Sequence, residues 1–341
     1  LSEKYATLED AKVKYPTAQS LDDSIDLCAL ESFFNHCKLN SGFNADCSIK
    51  AWVNRPLHLV GNLPTYEFKT NVINGDLTLI NNQNDYDITH FMQINAVGIE
   101  FTGKLTFIGN GTNLPKDRKQ HGGFVLGDGG DDGSAGRITI NSVEASGFRD
   151  FGTALINGCI FPSIRTQHYR DIGAIGMGGE DNKNKHSANV TRVSDAKSID
   201  YEQRTTLSVD SLPPLADSDY HIYQTMCKFD DDDGIYIITD VDKTAKTITV
   251  YPCLNFKKTY TKANYIYGIG MSWSGNNSGC GTFGRLQSIL CGVGFWGASL
   301  FGGTINYLST ELCGGGFTLG YRNSVVIGYE ISNSYFEGNV F

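Results

Sequence analysis

Along most of the chain, apolar and polar residues alternate in short runs, and Gly, Asn or Pro separates one run from the next. Residues 48–53, 58–60, 66–68, 77–80, 91–94 and 105–108 follow this pattern, which predicts β-strands with one face buried. One stretch differs. Over 21–38, Ile25, Cys28, Ala29, Phe33, Phe34 and Cys37 fall on one helical face, with Ser20 or Asp22 before them as a cap. An amphipathic helix just ahead of the first strands is placed to plug the open end of a stack of strands, where core and unpaired edges would otherwise meet water.

The strand pattern is periodic. Residues 281–295 and 303–317, offset by 22, are identical at eight of fifteen positions, and Leu286/Leu308, Leu290/Leu312 and Phe295/Phe317 recur as a core column. A period in the twenties, built from short strands and glycine corners without helical periodicity, predicts an all-β fold, a right-handed parallel β-helix. A second repeat aligns 138–152 with 159–173 at an offset of 21. It predicts Val143/Ile164, Phe148/Tyr169 and Phe151/Ile172 as stacked core, Glu144 beside Arg165, and Asp150 over Asp171. The period vanishes between 181 and 270, where hairpin-like runs predict a small inserted β-domain. The expected organisation is an entry segment and cap helix (1–46), β-helix windings (47–180), the insertion (181–270) and further windings (271–341).

Composition narrows the functional classes. Glycine, 39 of 341 residues, exceeds the usual share of roughly 7% and suits a fold of many corners. A net charge of −9 gives no electrostatic footprint for nucleic acid, and an acidic surface with 11% aromatics is compatible with sugars. Nine scattered cysteines without C-x-x-C spacing argue against zinc and against a disulfide framework; Cys291 and Cys313, at the same position of successive repeats, read as packing thiols of a protein made in a reducing cytoplasm. No apolar run approaches a membrane span and no signal peptide opens the chain. The acidic loops 127–134 and 230–234 lack calcium-loop spacing and read as solvated turns.

Chemistry must come from the outward residues of the windings. From Met271 to Phe341 the charged residues are Arg285, Glu311, Arg322, Glu330 and Glu337. Glycoside hydrolysis needs two carboxyl groups, whereas a β-elimination lyase needs a proton acceptor. Glu311 stands where the preceding repeat has Ile289, a break in the pattern that marks it as a candidate, and Glu337 follows about one winding plus four residues later, which places it across a shallow groove. Asp171, with Asp150, is the rival carboxylate. Trp273, Trp296, Tyr307 and Tyr321 are candidate sugar-stacking rings, Arg322 a candidate polar contact, and His168 keeps a lyase open.

A cap helix, stacked windings, an inserted β-domain and the string Ser334-Tyr-Phe-Glu-Gly-Asn339 together resemble bacteriophage tailspikes of the pectate-lyase-like group, the capsular polysaccharide depolymerases. The resemblance implies a homotrimer on the phage tail or baseplate that cleaves a bacterial capsular or O-antigen polysaccharide outside the cell, with no cofactor, nucleic acid or membrane insertion. A lyase or a non-catalytic receptor-binding fibre on the same fold is the alternative. The family's N-terminal virion-binding domain is not recognisable and the chain stops in mid-winding, so a fragment is expected.

Overall fold

The structure, a computed structural model, describes the chain apart from residues 38–41, 62–69, 128–134, 157, 177–183, 195–196, 200–201, 215–224, 274–278, 299 and 320–325. It is all-β with parallel sheets, preceded by helices Leu8–Lys14 and Ile25–Cys37. No described helix is long and apolar enough to cross a membrane.

In chain order the strands alternate between two parallel sheets. One pass runs through Val97–Ile108 in the first sheet and Gly122–Leu126 in the second, and the next through Ala135–Ser146 and Phe151–Leu155. Later passes include Gly279–Cys291 with Val293–Gly297, and Leu300–Glu311 with Gly315–Leu319. Every pass adds a strand to each sheet, in parallel register with its predecessor. Side chains alternate, so Leu105, Phe107, Val143, Tyr169, Leu286 and Leu308 of the first sheet meet Phe124, Leu126, Leu155, Met271 and Phe295 of the second in one continuous core.

The 22-residue repeat is a true stacking register: Gly281 pairs with Gly303, Leu286 with Leu308 and Ile289 with Glu311. Its glycines have a cause. Trp273 lies fully buried against both, and an added Cβ would come within 2.7 Å of the indole at Gly281 and 2.6 Å at Gly303. Leu290 and Leu312, expected in the core, instead turn a corner. Their φ values are 55° and 51°, in line with Asp171 at 58°, and Leu312 is 50% exposed.

The 21-residue alignment is corrected. The stacked strands pair Ile140 with Ile164, Val143 with Gln167 and Ala145 with Tyr169, an offset of 24. Glu144 therefore neighbours His168, not Arg165, and its carboxylate takes Lys104 Nζ at 3.2 Å. Asp150 and Asp171 do not stack. The first leads into the second sheet, whereas the second ends a strand of the first sheet.

Helix Ile25–Cys37 buries Leu27, Leu30 and Phe34 against the first strands, and Cys28 against the N-terminal segment around Ala11 and Tyr15. Ser24, rather than Ser20 or Asp22, caps it, accepting the Leu27 N–H at 3.0 Å and donating to the Trp52 carbonyl at 2.6 Å. Asp26 accepts the Trp52 N–H at 2.9 Å, so the helix start satisfies the backbone of the outermost strand.

Between Ile172 and Ile269 the chain leaves the parallel sheets and builds an antiparallel sheet that closes on itself. Lys262–Tyr267 pairs with both Ser187–Val193 and Met226–Phe229, and Glu202–Val209, Thr247–Tyr251 and Ile235–Asp242 complete the ring. Its interior holds Leu207, Cys227, Phe229, Ile238, Ile248, Val250 and Tyr265. The outgoing and returning chains cross back to back at Gly173 (φ 67°) and Gly268 (φ 88°), where a Cβ on Gly268 would sit 2.6 Å from the Gly173 Cα. Gly268→Ala combines a left-handed backbone with a backbone clash, and is expected to cost about 3 kcal/mol, read as the fall in denaturation midpoint.

The acidic loop 230–234 is pinned, not merely solvated. Asp232 accepts the Gly234 N–H at 3.0 Å and the hydroxyls of Tyr236 and Tyr260 at 2.9 and 3.1 Å. Those donors, the Gly234 amide first, hold its carboxyl down at about 2. At the other end of the barrel His186 is buried between Tyr267 OH and Ser211 Oγ, both at 3.1 Å, and burial lowers its pKa to about 4. A histidine kept neutral in the fold contributes fully above the unfolded pKa of 6.5, and its contribution is lost as pH falls toward 4. Thermal scans should show about 2 kcal/mol lost from this residue by pH 5, with His186→Gln flattening that slope.

Candidate functional site

The last strands of the first sheet carry the candidate chemistry on their outer face. Along Gly279–Cys291 the alternation buries Leu286 and Ser288 and turns Arg285, Gln287 and Ile289 outward. Tyr307, Ser309 and Glu311 take the same positions on Leu300–Glu311, and Tyr335 and Glu337 on Ser334–Glu337. Glu311 and Glu337 are thus direct register partners on neighbouring parallel strands, where strands lie about 4.8 Å apart.

Polar neighbours hold both carboxylates. Gln287 Nε2 and Ser309 Oγ donate to Glu311 Oε1 at 3.3 and 3.4 Å, and Glu311 is half-buried. Glu337 is exposed and accepts the hydroxyl of Tyr335, whose own pKa is raised chiefly by that bond to the carboxylate. On the Glu311 side, the Arg285 guanidinium lies over the Tyr307 ring, 5.3 Å from its centroid. His168, half-buried, opens the row that continues through Gln287, Ser309 and Tyr335. The sheet therefore brings Glu311, Glu337, Tyr307 and His168 onto one face.

Other expected site residues lie elsewhere. Asp171 is a correction: it is 7% exposed, ion-paired at 2.7 Å with a fully buried Arg118, and bonded by the Asn184 amide, so it has structural partners instead of a substrate-facing carboxylate. Trp273 is also corrected, because its side chain points inward among Phe283 and Tyr329 and is fully buried. Trp296 does point out of the second sheet, but the barrel covers it, and Met226 and Ile266 pack there with Ile269 and Val293. Neither indole offers a face to a sugar. Tyr321 and Arg322 lie outside the described residues.

The sequence reading missed Arg118 and a charged cluster at the start of the second sheet. There Arg149 forks onto Asp150 at 2.8 and 2.9 Å, and His121 lies 2.7 Å from Asp87 and 3.5 Å from Asp150. Burial lowers the His121 pKa. The duplicated Arg-Asp string was the only trace of these sites in the chain, and the wrong register obscured it. Among the described residues, no group of three or more His, Cys, Asp or Glu could hold a metal ion. Comparison with protein-family models, with curated proteins and with solved structures finds no match for the chain.

Proposed function

We propose that the chain is a right-handed parallel β-helix and that it hydrolyses glycosidic bonds in a bacterial capsular or O-antigen polysaccharide, as tailspike depolymerases do. The observation that carries this reading is the Glu311–Glu337 pair, two carboxylates in register on adjacent exposed strands. Strand spacing of about 4.8 Å suits the roughly 5–5.5 Å separation of a retaining glycosidase better than the wider gap that admits a water. Glu311, anchored by two donors, attacks the anomeric carbon. Glu337, beside the Tyr335 hydroxyl, gives its proton to the departing sugar oxygen as the glycosidic bond breaks, then takes a proton from the water whose oxygen attacks the anomeric carbon and frees Glu311. Tyr335 supplies a ring face for a neighbouring sugar, while the Tyr307 ring carries the Arg285 guanidinium. In this reading the protein works as a homotrimer on a virion tail.

A lyase is the second reading, favoured by His168 and Tyr335 standing in one outward row as possible proton acceptors. Incubation with a panel of purified capsular and O-antigen polysaccharides decides between them. New reducing ends without near-ultraviolet absorbance are expected. An absorbing, unsaturated product would make the protein a lyase. Binding with no new ends would make it a receptor-binding fibre.

A further inference from the structure

Three buried or half-buried arginines of this acidic chain hold carboxylates: Arg55 holds Glu31 and Asp23, Arg118 holds Asp171, and Arg149 holds Asp150. Three on the outer face of the first sheet do not. Arg165, Arg170 and Arg285 are exposed, and among the described residues no carboxylate lies within ion-pair distance of any of them. A chain of net charge −9 thus keeps three guanidinium groups on this face without a carboxylate of its own.

One of the three, Arg170, shares a row with the carboxylate pair. Arg170, Ile289, Glu311 and Glu337 form one outward row across four successive strands. Arg170 therefore stands two strand spacings, about 10 Å, from Glu311, which is the span of a disaccharide. Half-buried Ile289 lies between them as an apolar step for the CH face of a sugar ring. The Arg285 guanidinium lies over the Tyr307 ring, 5.3 Å from its centroid, and a guanidinium can form a paired contact with a carboxylate. Arg165 stands next to Gly284, which has no side chain to obstruct it: register runs from Ile164 with Phe283 to Thr166 with Arg285.

From this we infer that the polymer taken by this face bears a carboxylate in each repeat, that Arg170 binds one of them about one disaccharide away from the bond placed on Glu311 and Glu337, and that Arg285, with Arg165 at the margin, meets another farther back along the strands. The inference rests on the reading of this face as a polysaccharide site. The carboxylate can come from a uronic acid ring or from a pyruvate ketal; both present the same planar anion to the guanidinium. Charge complementarity, rather than ring stacking alone, then selects the substrate.

The test uses the Glu311→Gln/Glu337→Gln protein as a non-cleaving binder, titrated calorimetrically with purified capsular polysaccharides whose repeats are either carboxylated or neutral. Binding is expected only among the carboxylated polymers. It should be lost when the bound polymer is carboxyl-reduced, and weakened at least tenfold by adding Arg170→Gln and Arg285→Gln, with the melting temperature as the check on folding. Mild acid, which strips pyruvate ketals but leaves uronates, tells the two carboxylate sources apart. Binding to a neutral polymer, indifference to the arginine changes, or binding to no member of the panel overturns the inference. Arginine-dependent binding of an acidic polymer that the unaltered protein fails to cut would instead overturn the hydrolase reading and leave this one standing.

Discussion

Glu311→Gln and Glu337→Gln are each expected to lower polysaccharide cleavage by about 10³-fold while leaving the melting temperature within about a degree or two. The change is isosteric. At position 311 the oxygen of the new amide can still accept the bonds from Gln287 and Ser309, and Glu337 is exposed, where surface substitutions have little effect on stability. What disappears is the charge on one carboxyl and the titratable proton on the other. Reducing-end release measured beside thermal scans checks both halves. Full activity in either variant removes that residue from the site. Tyr335→Phe, which takes the hydroxyl from Glu337, should reduce the rate by a smaller factor.

Arg118→Met is expected to be the most damaging single substitution for stability, by about 3–5 kcal/mol. The guanidinium is 1% exposed. It donates to the carbonyls of Asn113, Phe148 and Asp171 at 3.0, 2.9 and 2.9 Å, and to the Asp171 carboxylate at 2.7 Å. It thereby ties the 109–121 connection to the end of strand Ser163–Ile172 and, through Asn184 on Asp171, to the start of the barrel. Removing it takes the cation from a buried carboxylate and a donor from three carbonyls. Asp171→Asn in the same chain should recover part of the loss, because the orphaned charge goes with it. Chemical denaturation of the two single variants and the double measures that coupling. Additive losses would mean that the ion pair is not the source of the effect.

How much of this was legible follows from where winding length stays constant. The 22-residue repeat placed Gly281 on Gly303 and Ile289 beside Glu311 correctly because nothing is inserted between those strands. The offset of 21 failed because the Arg-Asp strings at 149–150 and 170–171 resemble each other in sequence while occupying different corners. True pairing at 24 lets extra residues be absorbed in the turn between them. Glu311 and Glu337 were chosen from pattern alone, but their direct pairing was not visible. The strands pair at an offset of 26, Leu300 with Val326 and Glu311 with Glu337, not at the 22 of the repeat before. The tryptophans show a different limit. Whether Trp273 points in and Trp296 out depends on strand parity, and a one-residue slip reverses it. That Trp296 is covered depends on a barrel that closes far from it in sequence. Arg118 had no sequence signature, since its partners are mostly backbone carbonyls.

The crossing of chains at Gly173 and Gly268 means that the barrel hangs from the parallel sheets by a doorway one strand-pair wide, Ala174 opposite Tyr267 and Ile175 opposite Ile266. Such a doorway makes the barrel an exchangeable cartridge: a foreign module whose ends lie equally close can be threaded through it without altering the windings on either side. The limit on exchange is the underside. Val293, Trp296 and Ile269 would stand bare, so only a replacement with an oily sole to match Met226 and Ile266 will keep the molecule from sticking to its neighbours.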